Sequence, residues 1–521
     1  MRRPDQPFYV TTPIYYVNGR PHIGHAYTTI LADVLTRYHR LFGDRAYFLT
    51  GTDEHGLKVQ EAAEAEGMEP RPYCDQMVTR FQDLWEHLYI DYDRFMRTTD
   101  ADHIAYVQEV LQRLYDEDQI YSAAYTGWYC VPDERFWTEK DLVEGKCPEC
   151  GREVVELQEE NYFFKMGQFR EWLIEHIETH PGFIFPDTRR NEVLGFLRQG
   201  LGDLCISRPK SRLEWGITLP FDEDYVTYVW FDALLNYVSA VRGERRPEDG
   251  VDWWPATLHL IGKDIVTTHC VYWPTMLRAA GLELPERIAA HGWWLVEEEK
   301  MSKSRGNVVQ PLELADRYGV DAFRYFLMRE MSVGQDRSFS EVDLIQRYNS
   351  DLANDLGNAL NRVTKMVGRY RGGVLRDPGA LTDELEAGMR RTCEEAPIRV
   401  RTFIEALSPG EAVDAALDLV RATNRYLEQR EPWQLAKDEE RGELLDAVLY
   451  TSAETLRIAA VLLGPVMPAK TRQMLEQLGR SPTGDARFEE LTAWGMLQAG
   501  DQIPGGEGLF PRAELPEELD S

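Results

Sequence analysis

The chain has 521 residues, which is too many for a single hydrophobic core and predicts three or four structural units. Its hydrophobic fraction of 43% and charged fraction of 28% are typical of a globular protein and exclude disordered and fibrous classes. The net charge of −30 excludes a uniformly basic coat for nucleic acid, but it does not exclude local basic patches. No apolar run reaches the ~20 residues of a membrane span, and Met1–Asp5 lacks a signal-peptide core. We therefore expect a cytoplasmic protein with no membrane partner.

The first segment alternates strands and helices. Phe8–Thr12 is rich in β-branched and aromatic residues, which predicts a buried strand, and Ala46–Thr50 predicts a second strand. Between them, apolar residues recur at helical spacing, so Pro21–Arg40 is predicted to be an amphipathic helix. Strands that alternate with helices indicate a parallel α/β sheet, and ligands bind such sheets outside the carboxyl ends of the strands.

Three further regions follow along the chain. Residues 119–218 carry short aromatic pieces and a cysteine cluster, which interrupt the α/β pattern and indicate an insertion. The pattern resumes with predicted strands at Tyr225–Phe231 and Leu258–Gly262, the second of which ends in a glycine turn. The remaining periodicity is helical and predicts a bundle with segments at 349–370, 381–406, 411–430 and 440–463.

Two histidines lie three residues apart at the start of the first predicted helix, in the sequence His22-Ile23-Gly24-His25. At this spacing both side chains face the same side, and a helix N-terminus attracts phosphate through its N–H groups and its dipole. Gly24 removes a side chain where a flat adenine ring could approach. Taken alone, such a quartet can also arise by chance.

A lysine-rich segment, Lys300-Met301-Ser302-Lys303-Ser304, is predicted to form a loop. Two lysines and two hydroxyls suit a polyphosphate whose negative charge grows on one leaving group. The alternative is a solvated basic loop. However, this segment holds two of only eleven lysines in a chain that otherwise uses arginine for its positive charge.

Together, the two motifs resemble the HIGH and KMSKS signatures of class I aminoacyl-tRNA synthetases, in the same order and about 280 residues apart. Further segments are similar to the methionyl-tRNA synthetase family: Pro13–Gly19, Gly51–Gly56, Tyr228–Ala233, Ile261–Asp264 and His291-Gly292. These matches span nearly the whole chain. The sequence is identified on them as a member of that family, of the bacterial type without a C-terminal tRNA-binding extension.

The resemblance implies a Rossmann-type parallel sheet that is split by a connective insertion with a zinc knuckle and followed by an all-α anticodon-binding helix bundle. The implied units are a first Rossmann half with HIGH (1–118), the insertion (119–218), a second Rossmann half (219–290), a stem-contact region with the KMSKS loop (291–348) and the bundle (349–521).

The resemblance also implies a two-step reaction. ATP and L-methionine first give methionyl-adenylate and diphosphate. The 3′-terminal adenosine of methionine tRNA, initiator and elongator alike, then takes the methionyl group and AMP is released. Positioning and electrostatic stabilisation would provide catalysis, through His22, His25, Lys300 and Lys303. ATP, accompanied by Mg²⁺, would be bound by His22, Gly24, His25, Gly262, Asp264 and Lys303.

A methionine pocket follows from the family pattern. Its residues would be Ile14, Tyr16, Asp53, Trp230, Tyr237 and His291. Asp53 would bind the substrate ammonium, and the aromatic rings would contact the polarisable thioether. Core packing is the alternative for Ile14 and Trp230. Because one methylene gives only ~1–3 kcal/mol of discrimination, homocysteine should be poorly excluded.

The cysteine cluster resembles part of a zinc knuckle. Cys147-Pro148-Glu149-Cys150 has the spacing of a ligand pair, and Gly151 suits the turn that follows. The other half begins at Cys130, but its second cysteine is replaced by Asp133, whose harder oxygen suits a cysteine-rich zinc site less well. We expect a structural Zn²⁺ held by Cys130, Asp133, Cys147 and Cys150. The alternative is a partly decayed knuckle held by packing.

In the predicted bundle, Asn354, Asn358 and Arg362 recur every four residues and would share one helix face. The resemblance assigns this face, together with Trp433, to the tRNA anticodon, since amide and guanidinium groups donate to base edges and an indole stacks on bases. A solvated helix face is the alternative. Further basic residues predict a local patch near the acceptor end of the tRNA: Arg189, Arg190, Arg208, Lys210 and Arg212.

Three rival interpretations remain open. Another synthetase of the same class, such as one for cysteine, would place a zinc ion beside its amino-acid pocket, whereas these cysteines lie in the insertion. A tRNA-binding paralogue without activity would not need a diphosphate clamp. A nucleotidyltransferase for small molecules would not need the bundle. The chain ends at Ser521 without the domain that some family members use to dimerise, so we expect a monomer.

Overall fold

The structure, a computed structural model, describes residues 7–130, 135–137, 139–148, 150–242, 250–296, 299–300, 309–380, 383–481 and 487–514. Within these ranges, no helix is both long and apolar enough to cross a membrane. The predicted site residues Asp133 and Lys303 lie outside the described residues, and only the backbone of Lys300 is described.

The N-terminal region alternates strands and helices as predicted. Its elements are β1 (Phe8–Thr11), β2 (Tyr15–Tyr16), α1 (Ile23–Leu41), β3 (Ala46–Asp53), α2 (Leu57–Ala65), α3 (Pro70–His87), β4 (Arg94–Arg97) and α4 (Ala101–Asp116). Helix α1 begins two residues after Pro21, because the extended backbone of His22 (φ −125°) caps the helix.

The next region is largely antiparallel. It contains β5 (Ile120–Cys130), β6 (Arg135–Trp137), β7 (Val155–Phe164), α5 (Arg170–Thr179), β8 (Ile184–Phe185), α6 (Asp187–Gln199), β9 (Leu204–Cys205), β10 (Ser207–Pro209), β11 (Thr218–Leu219) and β12 (Asp222–Thr227). Strands β6, β5, β7 and β9 form one sheet, and β10, β12 and β11 form a second. Strand β8 instead joins the main parallel sheet, where Ile184 pairs with Ile288.

The α/β pattern then resumes, with α7 (Val229–Leu234), α8 (Asn236–Ser239), β13 (Leu258–Gly262), α9 (Trp273–Ala279), β14 (Ile288–His291), β15 (Trp294–Val296), β16 (Glu299–Lys300), α10 (Pro311–Tyr318), α11 (Val320–Glu330), β17 (Arg337–Ser338) and α12 (Glu341–Arg347). The predicted strand Tyr225–Phe231 is wrong in its second half, since β12 ends at Thr227 and α7 begins at Val229. Asp232 accounts for the difference, because its buried carboxylate binds two histidines from other elements.

The main sheet has the strand order β2-β3-β1-β13-β14-β8, and β4 pairs with β3. All of these pairs are parallel. The two chain segments meet where β1 pairs with β13, Val10 lying opposite Leu258. The carboxyl ends of β1, β3, β13 and β14 therefore share one edge, at which Asp53, Gly262 and His291 lie.

Within the described residues, all four predicted segments of the C-terminal bundle are helical. A π-helical stretch, Tyr348–Gly357, continues into α13 (Asn358–Arg371) and precedes α14 (Glu384–Glu405), α15 (Pro409–Arg430), α16 (Pro432–Leu435), α17 (Gly442–Leu463), α18 (Pro468–Gln477) and α19 (Phe488–Leu491). One hydrophobic cluster extends from α1 into these helices. The fully buried Arg324 of α11 forms an ion pair of 2.6 Å with Asp33 of α1 and donates to the carbonyls of Leu88, Pro465 and Val466.

Candidate active site

The start of α1 holds two stacked imidazoles at the edge of the sheet. The ring centroids of His22 and His25 are 3.9 Å apart. His22 Nδ1 accepts from the backbone N–H of Gly24 (3.1 Å), and His25 Nδ1 accepts from that of His22 (3.2 Å). Both rings therefore carry a proton on Nε2, which is a donor suited to a phosphate oxygen.

Gly24 has a role in this cap that the sequence did not indicate. A Cβ atom at this position would lie 2.9 Å from His22 Cε1. The missing side chain thus makes room for the capping imidazole, whether or not an adenine ring also approaches the same backbone.

Strand β3 ends at Asp53, and the two residues that follow it are each held by a side chain of another element. Asp53 is buried at the carboxyl end of the strand. Glu54 receives two bonds from the Arg97 guanidinium, of 2.7 and 2.8 Å. His55 Nδ1 donates to Asp232 Oδ2 at 2.6 Å. The two residues that follow Asp53 are thus fixed by other elements, and they hold the backbone on the C-terminal side of Asp53 in place.

Asp232 links two histidines that the sequence analysis did not single out. Its second oxygen accepts from His103 Nε2 at 2.7 Å, and His103 Nδ1 lies 2.8 Å from Ser239 Oγ. Burial would raise the pKa of Asp232, but the bonds and charges of His55 and His103 hold that pKa below its ordinary value. The carboxylate is therefore ionised inside the core, and it ties α7 and α4 to the segment that carries Asp53.

The aromatic residues of the predicted methionine pocket lie beside this anchor. Tyr237 is buried, and its hydroxyl donates to His269 Nε2 at 2.8 Å. Trp230 is half-buried with its ring centroid 6.1 Å from that of His269. Burial, Tyr15 and the Asp53 carboxylate all raise the pKa of Tyr237, so its hydroxyl remains a donor. His269 belongs to this group, although its sequence context carries no recognisable signal.

The remaining predicted pocket residues lie nearby. Ile14 and Tyr16 are half-buried rather than part of the core, and the Lys58 ammonium lies 5.7 Å from the Tyr16 ring. Burial lowers the pKa of His291, so the ring is neutral. Its Nδ1–H donates to the Gly292 carbonyl and its Nε2 accepts from Thr28, both at 2.7 Å. These bonds fix His291 against α1.

Gly262 is the last residue of β13, as predicted from the sequence, and Asp264 follows two residues later. A Cβ atom at Gly262 would lie 2.6 Å from Asp264 Oδ1, so the glycine allows the carboxylate to fold back over the strand end. The indole N–H of Trp293 donates to the same oxygen at 3.1 Å.

The three cysteines of the predicted knuckle converge. Their sulfur atoms all lie within 4.8 Å of one another, and those of Cys130 and Cys150 are 3.5 Å apart. A tetrahedral zinc–thiolate site with bonds of about 2.3 Å needs sulfurs about 3.8 Å apart, so the arrangement fits this metal. The turn is closed by Gly151, which has a φ of 70° and donates its N–H to the Cys147 carbonyl.

The predicted anticodon residues also come together. Asn354 and Asn358 are exposed, and Arg362 lies one turn further along the same face. The Arg362 guanidinium is 5.8 Å from the centroid of the Trp433 ring. The left-handed backbone of Glu431 (φ 44°), followed by Pro432, turns the chain so that α16 presents this indole.

One part of the predicted basic patch is wrong. Arg208 is buried, with its guanidinium 4.9 Å from the Tyr228 ring centroid and 5.6 Å from that of Tyr129. It donates to the Ser207 carbonyl at 2.7 Å. Arginine can be buried in this way because its weakly hydrated, planar group stacks on aromatic rings, a contact that a run of basic residues does not reveal.

A split parallel sheet with paired histidines at a helix start is the arrangement expected of the class I aminoacyl-tRNA synthetases that the sequence resembles. A model of the family "tRNA synthetases class I (M)" matches residues 8–158 and 152–364. A methionine–tRNA ligase of Caldanaerobacter subterraneus is 46% identical over 520 residues, which are 99% of this chain and 80% of that protein. The Streptomyces coelicolor methionine–tRNA ligase is 45% identical and covers 97% of both chains.

Solved structures agree with these relatives. Mycobacterium tuberculosis methionyl-tRNA synthetase in complex with methionyl-adenylate superposes with a TM-score of 0.91 at 42% identity. The match covers 97% of this chain and 100% of the other. The chain belongs to the methionine–tRNA ligase family.

Proposed function

We propose that the protein activates L-methionine with ATP to methionyl-adenylate and transfers the methionyl group to the 3′-terminal adenosine of methionine tRNA. AMP and diphosphate are the other products. The observation that carries this proposal is the 46% identity to a methionine–tRNA ligase over 99% of the chain. The sheet-edge site built by His22, His25, Asp53 and Asp264 supports it.

In the first step, the methionine carboxylate attacks the α-phosphorus of ATP and diphosphate leaves. The Nε2–H groups of His22 and His25 donate to the triphosphate as its charge redistributes. Lys300 and Lys303 then stabilise the departing diphosphate. These are positioning and electrostatic effects, so no covalent enzyme intermediate is required.

Methionine is selected by one carboxylate and several rings. Asp53 accepts from the substrate ammonium, while Tyr16, Trp230, Tyr237 and His291 surround the thioether together with Ile14. Sulfur makes favourable contacts with aromatic rings, and a flexible unbranched chain reaches between them. Homocysteine, one methyl shorter, is excluded only weakly.

Two metals belong to the proposal. Mg²⁺ would bind with ATP and offset the charge of its phosphates. Cys130, Cys147 and Cys150 would hold a structural Zn²⁺, with Asp133 as the proposed fourth ligand. The close approach of the three sulfurs supports this assignment.

The proposed tRNA contacts lie at the far end of the chain from the HIGH motif. Asn354, Asn358, Arg362 and Trp433 read the anticodon of initiator and elongator methionine tRNA, within the bundle of residues 349–521. We also propose a monomer in the cytoplasm. Light scattering at about twice the chain mass would contradict the monomer.

The Lys303→Ala variant tests the proposed mechanism. The Lys303 charge meets the phosphates most strongly as negative charge develops, so its loss should lower kcat for adenylate formation far more than it changes KM for methionine. Lys365→Ala, on the exposed face of α13, is the matched control and should leave both values unchanged. A rise in KM for methionine with unchanged kcat would contradict the role of Lys303.

A further inference from the structure

Four residues form a closed circuit of contacts beside the end of β13. The Trp293 indole N–H donates to Asp264 Oδ1 at 3.1 Å, and the Trp293 backbone N–H donates to Asp336 Oδ1 at 2.9 Å. Asp336 Oδ2 in turn lies 2.6 Å from the Lys263 ammonium. That ammonium is 3.9 Å from the centroid of the Trp293 ring. Because Lys263 directly precedes Asp264, the circuit closes on the segment that it holds.

The loop that carries Asp336 is held against the strand end. A Cβ atom at Gly292 would lie 2.0 Å from the Gln335 carbonyl oxygen, so the loop packs directly on a glycine backbone. Burial would raise the pKa of Asp336, but Lys263 and the Trp293 N–H hold it below its ordinary value, with a further contribution from Arg189. Asp336 is therefore an ionised, fixed acceptor for both Trp293 and Lys263.

The chemistry of Asp264 limits what it can bind. A carboxylate accepts hydrogen bonds and is repelled by phosphate oxygens. ATP offers two kinds of hydrogen-bond donor, the ribose hydroxyls and the adenine amino group. Of these, we assign a ribose hydroxyl to the Asp264 carboxylate at the edge of the sheet. Its carboxylate must then be held in one orientation, and Trp293 is placed to do this.

We propose that Trp293 is a positioning residue, whose indole N–H, held by Lys263 and Asp336, orients the Asp264 carboxylate to accept a hydrogen bond from a ribose hydroxyl of ATP. This role rests on the proposed function. It makes Trp293 act through Asp264 on ATP binding, and it leaves methionine binding untouched.

Trp293→Phe is the direct test, because phenylalanine keeps a ring face for Lys263 and removes only the N–H. In methionine-dependent diphosphate exchange, KM for ATP should rise about tenfold, as expected for a lost hydrogen bond to a charged group. KM for methionine should not change. Exchange is then measured with 2′-deoxy-ATP and 3′-deoxy-ATP. For the analogue that lacks the hydroxyl bound by Asp264, wild type and variant should have the same KM.

Two further variants complete the experiment. Trp172→Phe is the matched control, since the Arg278 guanidinium lies 5.2 Å from the Trp172 ring in α5, and it should behave as wild type. Asp336→Asn removes the ion pair with Lys263 and should reproduce the selective rise in KM for ATP. This variant provides the test if Trp293→Phe does not fold.

The positioning role would be overturned if Trp293→Phe raised KM equally for ATP and for both deoxy analogues. It would also be overturned if KM for methionine rose in parallel. Such a result would leave the proposed function intact as long as the wild type catalyses methionine-dependent exchange. A wild type without that exchange would instead contradict the proposed function itself.

Discussion

Asp232 is a single buried carboxylate on which two separate elements depend. Its oxygens accept from His55 and His103 at 2.6 and 2.7 Å, and its side chain is fully buried. A buried carboxylate is stable only when its charge is compensated in this way. His55 is two residues from Asp53 along the chain, so packing of the core and placement of the proposed ammonium site depend on the same contacts.

Asp232→Asn should therefore weaken both the packing of the core and the binding of methionine. The amide would put a donor against one imidazole N–H, and a buried donor without an acceptor costs about 1–3 kcal/mol. We expect a lower midpoint of thermal unfolding and a higher KM for methionine, measured by calorimetry and diphosphate exchange. Asp224→Asn, on an exposed residue of β12, is the control. Unchanged KM for methionine in the Asp232 variant would refute the link to Asp53.

His269 gives a pH dependence with a definite sign. Burial lowers its pKa from 6.5 to about 4. The unfolded chain therefore binds more protons than the folded chain between these values, so the free energy of unfolding is highest above pH 6.5 and falls as the pH decreases towards 4. The difference amounts to about 3 kcal/mol for this one group.

His269→Gln keeps an acceptor for the Tyr237 hydroxyl and cannot titrate. Its midpoint of thermal unfolding should decrease less steeply than that of wild type between pH 6.5 and 4, and the two profiles should run parallel above pH 7. Parallel profiles across the whole range would show that His269 is not buried in its neutral form.

Some residues of the site could be recognised from the sequence and others could not, for a clear reason. His22 and His25 stand three residues apart, so their common face follows from local geometry. His103 and Asp232 are also bonded to each other, but 129 positions separate them. No local pattern connects such a pair, and only the fold brings its members together.

At the scale of elements, the joint between α13 and α16 carries the proposed anticodon contact. The Arg362 guanidinium carbon lies 5.8 Å from the centroid of the Trp433 ring, in a cation–π arrangement. A base that stacks on the indole would gain ~1–3 kcal/mol, and the guanidinium could donate to its edge. Both residues belong to the bundle, far along the chain from the HIGH motif.

Trp433→Ala and Arg362→Ala should each reduce charging of methionine tRNA severely and leave methionine-dependent diphosphate exchange near normal. Charging of a tRNA with a swapped anticodon, already poor, should fall little further. Arg390→Ala is the control, because Arg390 pairs with Glu394 on its own helix. Normal charging by both variants would mean that this face of the bundle does not read the anticodon.

The elements themselves were predictable to different degrees. The helices of the bundle follow from their periodicity, and α1 is within two residues of its predicted start. The segment 229–231 was predicted as a strand because Val, Trp and Phe favour strands, yet it is helical. Tertiary bonds to Asp232 decide its structure, and such bonds override local propensity.

For the whole molecule, the zinc content tests whether the cysteine cluster makes the insertion a metal-binding unit. Three sulfurs within 4.8 Å of one another should bind one Zn²⁺ per chain, even with aspartate as the fourth ligand. We expect metal analysis to give about one zinc per chain, and Cys147→Ser to abolish it. Asp133→Cys should make the metal harder to remove with a chelator. The control is Cys393→Ser, which replaces a buried cysteine of the bundle and should retain zinc. Equal zinc contents in all variants would contradict the proposed zinc site.

The architecture as a whole was accessible from the order of its motifs, because strand–helix alternation, a cysteine-bearing insertion and a helical end are each visible locally. Strand β8 was not, since Ile184–Phe185 is only two residues long and lies within the predicted insertion. Its pairing with β14 depends on the tertiary approach of segments about 100 residues apart.

The proposed activity of this site is the activation of methionine. Amino-acid-dependent exchange of diphosphate into ATP, measured with the wild-type chain and each of the twenty amino acids in turn, tests it most directly. Methionine should be the only efficient substrate among them, because Asp53 binds any amino acid but the rings of Trp230 and Tyr237 favour a thioether. Exchange driven more strongly by cysteine or leucine than by methionine would contradict the proposed specificity.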